Sequence, residues 1–202
     1  MKVIGITGGV GAGKSSILTY LQEHTNCRII MADKAAHELE RQGSVCYEKL
    51  VSLLGKGVLA EDGEIDRGKM AARIFTDQAL LKQVNGIVHP AVKEYIMAVI
   101  AEERKAGRYD YLFIEAALLI EDGYGSIVDE MWYIHTDDNV RRDRLKTSRG
   151  YSDEKIENIM RGQLSKEEFC VHCSVVIDNS KSLTDAYRQI DEKLGEKLCQ
   201  KQ

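Results

Sequence analysis

The apolar positions of this chain follow two alternating patterns. Short, near-continuous apolar runs occur at Val3–Thr7, Arg28–Met31, Tyr111–Ile114, Glu130–Ile134 and Val175–Ile177. Such runs, bounded by polar residues and glycine, are expected of strands buried on both faces. Four of them are followed by segments whose apolar residues recur at helical spacing: Ser15–His24, Lys34–Arg41, Asp138–Ser148 and Leu183–Leu198. Strand alternating with helix predicts an α/β fold around a five-stranded parallel sheet. The stretch from Ser44 to Lys105 breaks the rhythm. Helical spacings recur there in CYEKLVSLLG, KMAARIF, QALLKQVNGIV and VKEYIMAVIAEERK, with no convincing strand. It reads as a mainly helical insertion between the second and third strands. Pro90, the single proline, lies inside it and is expected to end or kink its helix, because proline disfavours helical geometry at the preceding residue, His89.

A second insertion is expected over Asp138–Gln163. Arg142, Lys146 and Arg149 share one helical face, and Arg141, Arg144 and Ser148 an adjacent one. Gly150 breaks the helix and Ser152 restarts it as an N-cap. An arginine-rich helical hairpin just after a sheet strand suits a lid over phosphates. The alternative is a solvated basic face paired with Asp137, Asp138, Asp143 and Glu154.

Composition narrows the classes. With 202 residues, 44% hydrophobic and 30% charged, the chain has material for one core and an inserted subdomain. A formal net charge of −4 argues against broad nucleic-acid binding, which needs a basic surface. No run approaches the ~20 apolar residues of a membrane span. Val3–Ile6 is too short for the core of an export signal, so a cytoplasmic location with reduced cysteines is expected. Cys170-Val-His-Cys173 has no second ligand pair for zinc; Cys27, Cys46 and Cys199 are scattered. It also precedes a strand, where a redox pair follows one, so these cysteines read as structural or incidental.

The chemistry begins directly after the first strand. Gly8-x-x-x-x-Gly13-Lys14-Ser15 is a complete Walker A sequence, with a strand before it and a helix after it. Its glycines let the backbone wrap with N–H groups inward, and the helix N-terminus adds positive potential at the same spot. Lys14 suits the β/γ-phosphates and the Ser15 hydroxyl a Mg²⁺ ion. Asp33 ends the second strand and opens a helix, a position open both to a general base and to an ordinary helix N-cap. Glu115 follows Tyr-Leu-Phe-Ile in a Walker-B-like arrangement that suits Mg²⁺.

Several separated motifs now fit one family. ITGGVGAGKSS with its double glycine, MAD at 31–33, EDGEIDRGKMAARIF at 61–75, IVHPAV at 87–92, EAALLIE at 115–121, RLKTSRGYS at 144–152 and VVIDN at 175–179 keep the order and spacing of the dephospho-CoA kinase family, which the chain resembles from about residue 2 to 195. Two departures stand out. The family's Asp-x-Pro is Glu115-Ala-Ala117 here, and Arg149 is displaced by one position from the family's second lid arginine.

The resemblance implies a three-layer P-loop kinase fold. Its core would span 1–43, 106–137 and 164–202, its acceptor-binding insertion about 44–105 and its lid about 138–163. It implies transfer of a phosphoryl group from ATP, with Mg²⁺, to the ribose 3′-hydroxyl of dephospho-CoA. Gly11, Ala12, Gly13, Lys14, Ser15 and Ser16 would bind ATP with Arg144, and Ser15 and Glu115 would hold the metal. Asp33 would act as base, with Lys14 and Arg144 as its catalytic partners. Arg67, Arg73 and His89 would join Asp33 on the acceptor side. The partners expected are these two small molecules, with no nucleic acid or membrane and a monomeric chain. Another small-molecule kinase of the nucleoside monophosphate type remains an alternative, as does a nucleotide-binding module without an acceptor.

Overall fold

The computed structural model describes residues 1–195. Its order is β1 (Lys2–Thr7), α1 (Lys14–His24), β2 (Cys27–Met31), α2 (Ala32–Leu39), α3 (Tyr47–Leu54), α4 (Arg67–Phe75), α5 (Gln78–Ala106), β3 (Tyr111–Glu115), β4 (Glu130–His135), α6 (Asp138–Arg149), α7 (Asp153–Arg161), α8 (Lys166–His172), β5 (Val175–Asp178) and α9 (Leu183–Leu194). Residues 196–198 of the expected last helix, and Cys199, lie outside the described residues.

The strands form one five-stranded sheet in the order β2-β3-β1-β4-β5. β1 is central and pairs in parallel with β3 and β4, and β4 pairs in parallel with β5. A central parallel strand has no solvent face, which is why β1 runs as an unbroken apolar segment. The chain divides into two compact units, one comprising Met1–Ile29 with the residues from Gly107 onward, the other Ile30–Ala106.

In the first unit the core gathers Ile4, Ile6, Ile17, Leu21, Phe113, Trp132, Ile134, Ile177 and Ile190, all fully buried. Each large apolar side chain contributes roughly 1.5–3 kcal/mol by leaving water. Tyr20 stacks on Tyr187 with ring centroids 3.9 Å apart, and its hydroxyl donates to Asp191 at 2.9 Å. These contacts pin α9 against α1. α8, which the apolar pattern did not announce, is opened by a capping box between Ser165 and Glu168 and stacks Phe169 on Tyr133 at 4.4 Å. The Cys170–Cys173 pair therefore closes a helix, just ahead of β5.

The second unit is helical. α5 packs against α2, α3 and α4. Its buried stripe of Val84, Val88, Val92, Ile96, Val99 and Ile100 continues past Pro90. Pro90 thus does not end the helix, the first of the two outcomes expected of it. The ring forfeits only the bond to the Gly86 carbonyl, while the stripe continues to bury apolar surface on both sides of it. Tertiary packing outweighs the local preference.

Candidate active site

The phosphate loop joins β1 to α1 and is braced from three directions. Gly13 is the N-cap of α1 in a left-handed conformation (φ 86°). No side chain caps this helix and no acidic residue occupies its first turn, so its terminal amides face an anion unopposed. From β4, the Thr136 hydroxyl donates to the Ala12 carbonyl at 3.0 Å. From β5, fully buried Asn179 donates through Nδ2 to the same carbonyl at 2.8 Å.

From α6, Arg141 donates through Nε to the Val10 carbonyl at 3.1 Å and through Nη2 to Gln163 Oε1. Gln163 Oε1 also accepts from the Val10 amide at 3.3 Å. Both polar groups of Val10 are thus engaged by the α6–α8 segment. Arg144 donates to the Asn179 carbonyl at 2.9 Å and so lies along the same loop. A cavity of about 530 Å³ adjoins Arg141, Gln163, His135 and Asp137.

Lys14 donates through Nζ to the Gly8 carbonyl at 2.8 Å and lies 3.6 Å from Glu115 Oε1. Both side chains are nearly buried, at 13% and 12% exposed. Glu115 is the last residue of β3, in register with Ile6 of β1. Ser15 stands exposed in the first turn of α1, with Ser16 beside it. Gly11 to Ser16, Lys14, Glu115 and Arg144 thus belong to one locality of the first unit.

The two faces of α6 divide as their spacing suggested, with different partners. Arg142 pairs with Glu157 at 2.6 Å and Lys146 with Asp153 at 2.6 Å, tying α6 to α7. Arg141 and Arg144 turn to the phosphate loop instead. Arg141, Thr136, Asn179 and Gln163 were not among the candidate site residues. Asn179 closes the VVIDN motif and Arg141 belongs to the arginine run, so both carried a signal; Gln163 had none in its local sequence.

In the second unit, Asp33 is exposed in the first turn of α2. The helix begins two residues earlier than expected, so Met31 and not Asp33 is its N-cap, and no side chain caps it. Asp33 is therefore not consumed by a local capping role. Arg67, at the start of α4, places Nη1 3.3 Å from His37 Nδ1 and Nε 3.9 Å from Glu40 Oε2. Burial pushes the Glu40 carboxyl up from its ordinary range, and Arg67 and His37 pull it partly back. These three residues line a cavity of about 240 Å³ with Arg41, Glu64 and Ile65. Arg73 lies exposed in the last turn of α4 and His89 half-buried within α5; neither lines that cavity.

A parallel sheet in this order with a Walker A loop at the end of its central strand defines a P-loop kinase. The model of the family described as dephospho-CoA kinase matches residues 2–185. A dephospho-CoA kinase of Aquifex aeolicus is 36% identical over 98% of both chains, and one of Carboxydothermus hydrogenoformans is 35% identical over 94% of this chain and 91% of its own. Among solved structures, a Thermus thermophilus protein superposes with a TM-score of 0.79 at 27% identity, covering 96% of each chain. A shikimate kinase of Bacteroides thetaiotaomicron shares the fold at a TM-score of 0.54 and 13% identity, over 96% of this chain and 99% of its own. The chain belongs to the dephospho-CoA kinase family, whose function is the final step of coenzyme A biosynthesis. Among the described residues no helix is long and apolar enough to cross a membrane.

Proposed function

We propose that this chain transfers the γ-phosphoryl group of ATP to the ribose 3′-hydroxyl of dephospho-CoA, giving CoA and ADP. The observation that carries this reading is the braced phosphate loop with Lys14 at its mouth, in a chain of this family. Phosphoryl transfer demands positioning and charge neutralisation more than covalent chemistry from the protein. The amides of Gly11, Ala12, Gly13, Ser15 and Ser16 cradle the β- and γ-phosphates. Lys14 swings from the Gly8 carbonyl and Glu115 to the transferring group. Arg144 adds positive charge as the bond to the leaving ADP breaks.

Asp33 orients the 3′-hydroxyl and takes its proton. Its exposed position in the first turn of α2, uncommitted to capping, supports that role. Arg67, Arg73 and His89 serve the acceptor side. Ser15 and Glu115 would hold Mg²⁺, which would supply electrostatic neutralisation of the phosphate oxygens. Among the described residues no group of three or more His, Cys, Asp or Glu is disposed to hold a metal alone. A Mg²⁺ ion that arrives with ATP needs only one or two protein oxygens, and a hydroxyl with one carboxylate suits it.

The test is a coupled ADP-release assay with dephospho-CoA alongside a panel of nucleosides and nucleoside monophosphates. Turnover with dephospho-CoA at the highest kcat/KM of the panel is expected. Turnover with a monophosphate and none with dephospho-CoA sinks the proposal.

A further inference from the structure

The cavity between α2 and α4 has features that a solvent-filled crevice does not explain. Glu40 is 8% exposed, and its Oε2 has no hydrogen-bond partner. Burying such an oxygen without a partner costs free energy, and more when it is charged. The nearest cation is the guanidinium of Arg67, at 3.9 Å, just beyond hydrogen-bonding distance. Arg67 is itself 56% exposed and so has room to move. A guanidinium can only donate, so its 3.3 Å approach makes His37 Nδ1 the acceptor. The proton of neutral His37 is then on Nε2, and the ring presents a second donor. Arg41 adds another guanidinium at the rim, with Nη1 paired to the exposed Glu38 at 3.2 Å. Of the two acids, Glu64 is committed to the Gln42 amide at 2.9 Å, and Glu40 stands behind Arg67.

A pocket with two guanidinium forks and an imidazole N–H is built for an anion with several oxygens, since the planar fork matches phosphate geometry. Its volume of about 240 Å³ falls below that of sites holding a whole drug-sized molecule, so it suits one group of a larger ligand. Its place on α2 says which group. Asp33 and His37 are four residues apart, on one face and about one turn, ~5.4 Å, along the helix. In dephospho-CoA the 3′-hydroxyl and the 5′-diphosphate lie on opposite sides of a single ribose, a separation of the same order.

We propose that His37, Arg41 and Arg67 form the subsite for the 5′-diphosphate of the acceptor, with Glu40 as the positioning residue that holds Arg67 from behind. This rests on Asp33 meeting the 3′-hydroxyl, as proposed above. The cavity then becomes the element that makes the enzyme prefer a diphosphate-bearing acceptor over a bare nucleoside. Glu40 draws Arg67 toward itself, leaving the outer edge of the guanidinium for the phosphates.

The experiment compares dephospho-CoA with adenosine, which keeps the ribose 3′-hydroxyl and lacks the diphosphate. Adenosine is followed both as acceptor and as a competitor of dephospho-CoA at saturating ATP. In Arg67→Ala, KM for dephospho-CoA is expected to rise at least tenfold with a smaller change in kcat. The preference for dephospho-CoA over adenosine, by kcat/KM or by KM against Ki, is expected to shrink by the same factor. Arg41→Ala, at an exposed position, is expected to shift the preference in the same direction. Glu40→Gln is expected to raise KM for dephospho-CoA with its melting transition intact, and Arg67→Lys to recover part of the loss. A preference unchanged in both arginine variants overturns the subsite, whereas a wild-type protein that does not phosphorylate dephospho-CoA overturns the underlying function instead.

Discussion

Gly9 offers a sharp test of how the phosphate loop is held. It is the second glycine of the double-glycine opening, and its φ lies outside the left-handed region, so alanine can adopt its backbone without strain. The obstacle is purely steric. A Cβ at this position would stand 2.3 Å from Arg141 Nη2, 2.5 Å from its Cζ and 2.9 Å from Gln163 Oε1. To restore ordinary contact the guanidinium must retreat by ~1 Å, which breaks its bonds to the Val10 carbonyl and to Gln163.

Hydrogen bonds to charged groups are worth about 1.5–3 kcal/mol each, and the lower end applies because the displaced guanidinium reaches water. The Gly9→Ala cost is therefore about 3 kcal/mol, a fall of roughly 6–12 °C in Tm for a chain of this size. The same change made in an Arg141→Ala background is expected to cost almost nothing, giving a coupling of ~3 kcal/mol. Gly8→Ala is the control. Its Cβ would meet the Ile134 carbonyl oxygen at 2.5 Å with φ at 146°, and removing Arg141 relieves neither problem. Thermal unfolding followed by circular dichroism on the four proteins of the cycle decides the matter. An equal cost of Gly9→Ala in both backgrounds would falsify the clamp.

Three further outcomes are expected. Asp33→Asn should lower kcat by at least ~10²-fold, the scale of general acid–base catalysis, while ATP binds nearly as in wild type; wild-type-like turnover removes Asp33 from the base role. Burial, with a smaller contribution from Cys170, pushes the Cys173 thiol up to about 12, whereas Cys170 is exposed. A brief iodoacetamide pulse at pH 8 mapped by peptide mass should therefore label Cys170 and spare Cys173, and equal labelling refutes the burial argument. The raised carboxyl of Glu40 binds its proton more tightly folded than unfolded, so its contribution to stability is present below the ordinary value of 4.5 and is lost as pH rises through the folded value. Urea midpoints of Glu40→Gln should accordingly fall less than wild type over that rise, and parallel curves would contradict this.

The reach of sequence reasoning can be followed residue by residue. The central strands β1, β3 and β4 were legible because a buried parallel strand is written locally as a run of apolar residues, and the edge strands β2 and β5, only partly buried, were legible as short runs of Ile and Val. The phosphate loop was legible because its glycines, Lys14 and Ser15 lie within one short segment. Ser152 was legible as a cap, since its hydroxyl accepts from the Lys155 amide within the same turn. α8 was missed because it is short, and its apolar anchor, Phe169, needs Tyr133 of a distant strand to explain it. Pro90 does not end its helix because the local rule is outweighed by a stripe on a helix that packs against three others.

What the sequence determined by itself is what short-range physics controls: the alternation of strand and helix, the anion-binding loop and the helix boundaries set by Gly150 and Ser152. The ordered motifs also carried the family. What only the tertiary structure decided is which charged side chains meet. Spacing placed Arg141 and Arg142 on adjacent faces of one helix, yet Arg142 reaches Glu157 of α7 while Arg141 closes on Val10, more than a hundred residues earlier. Arg67 likewise meets His37 and Glu40, which lie together at the end of α2, His37 being thirty residues away along the chain. A charge acts over a few ångströms, and only the packed fold sets which residues lie within them.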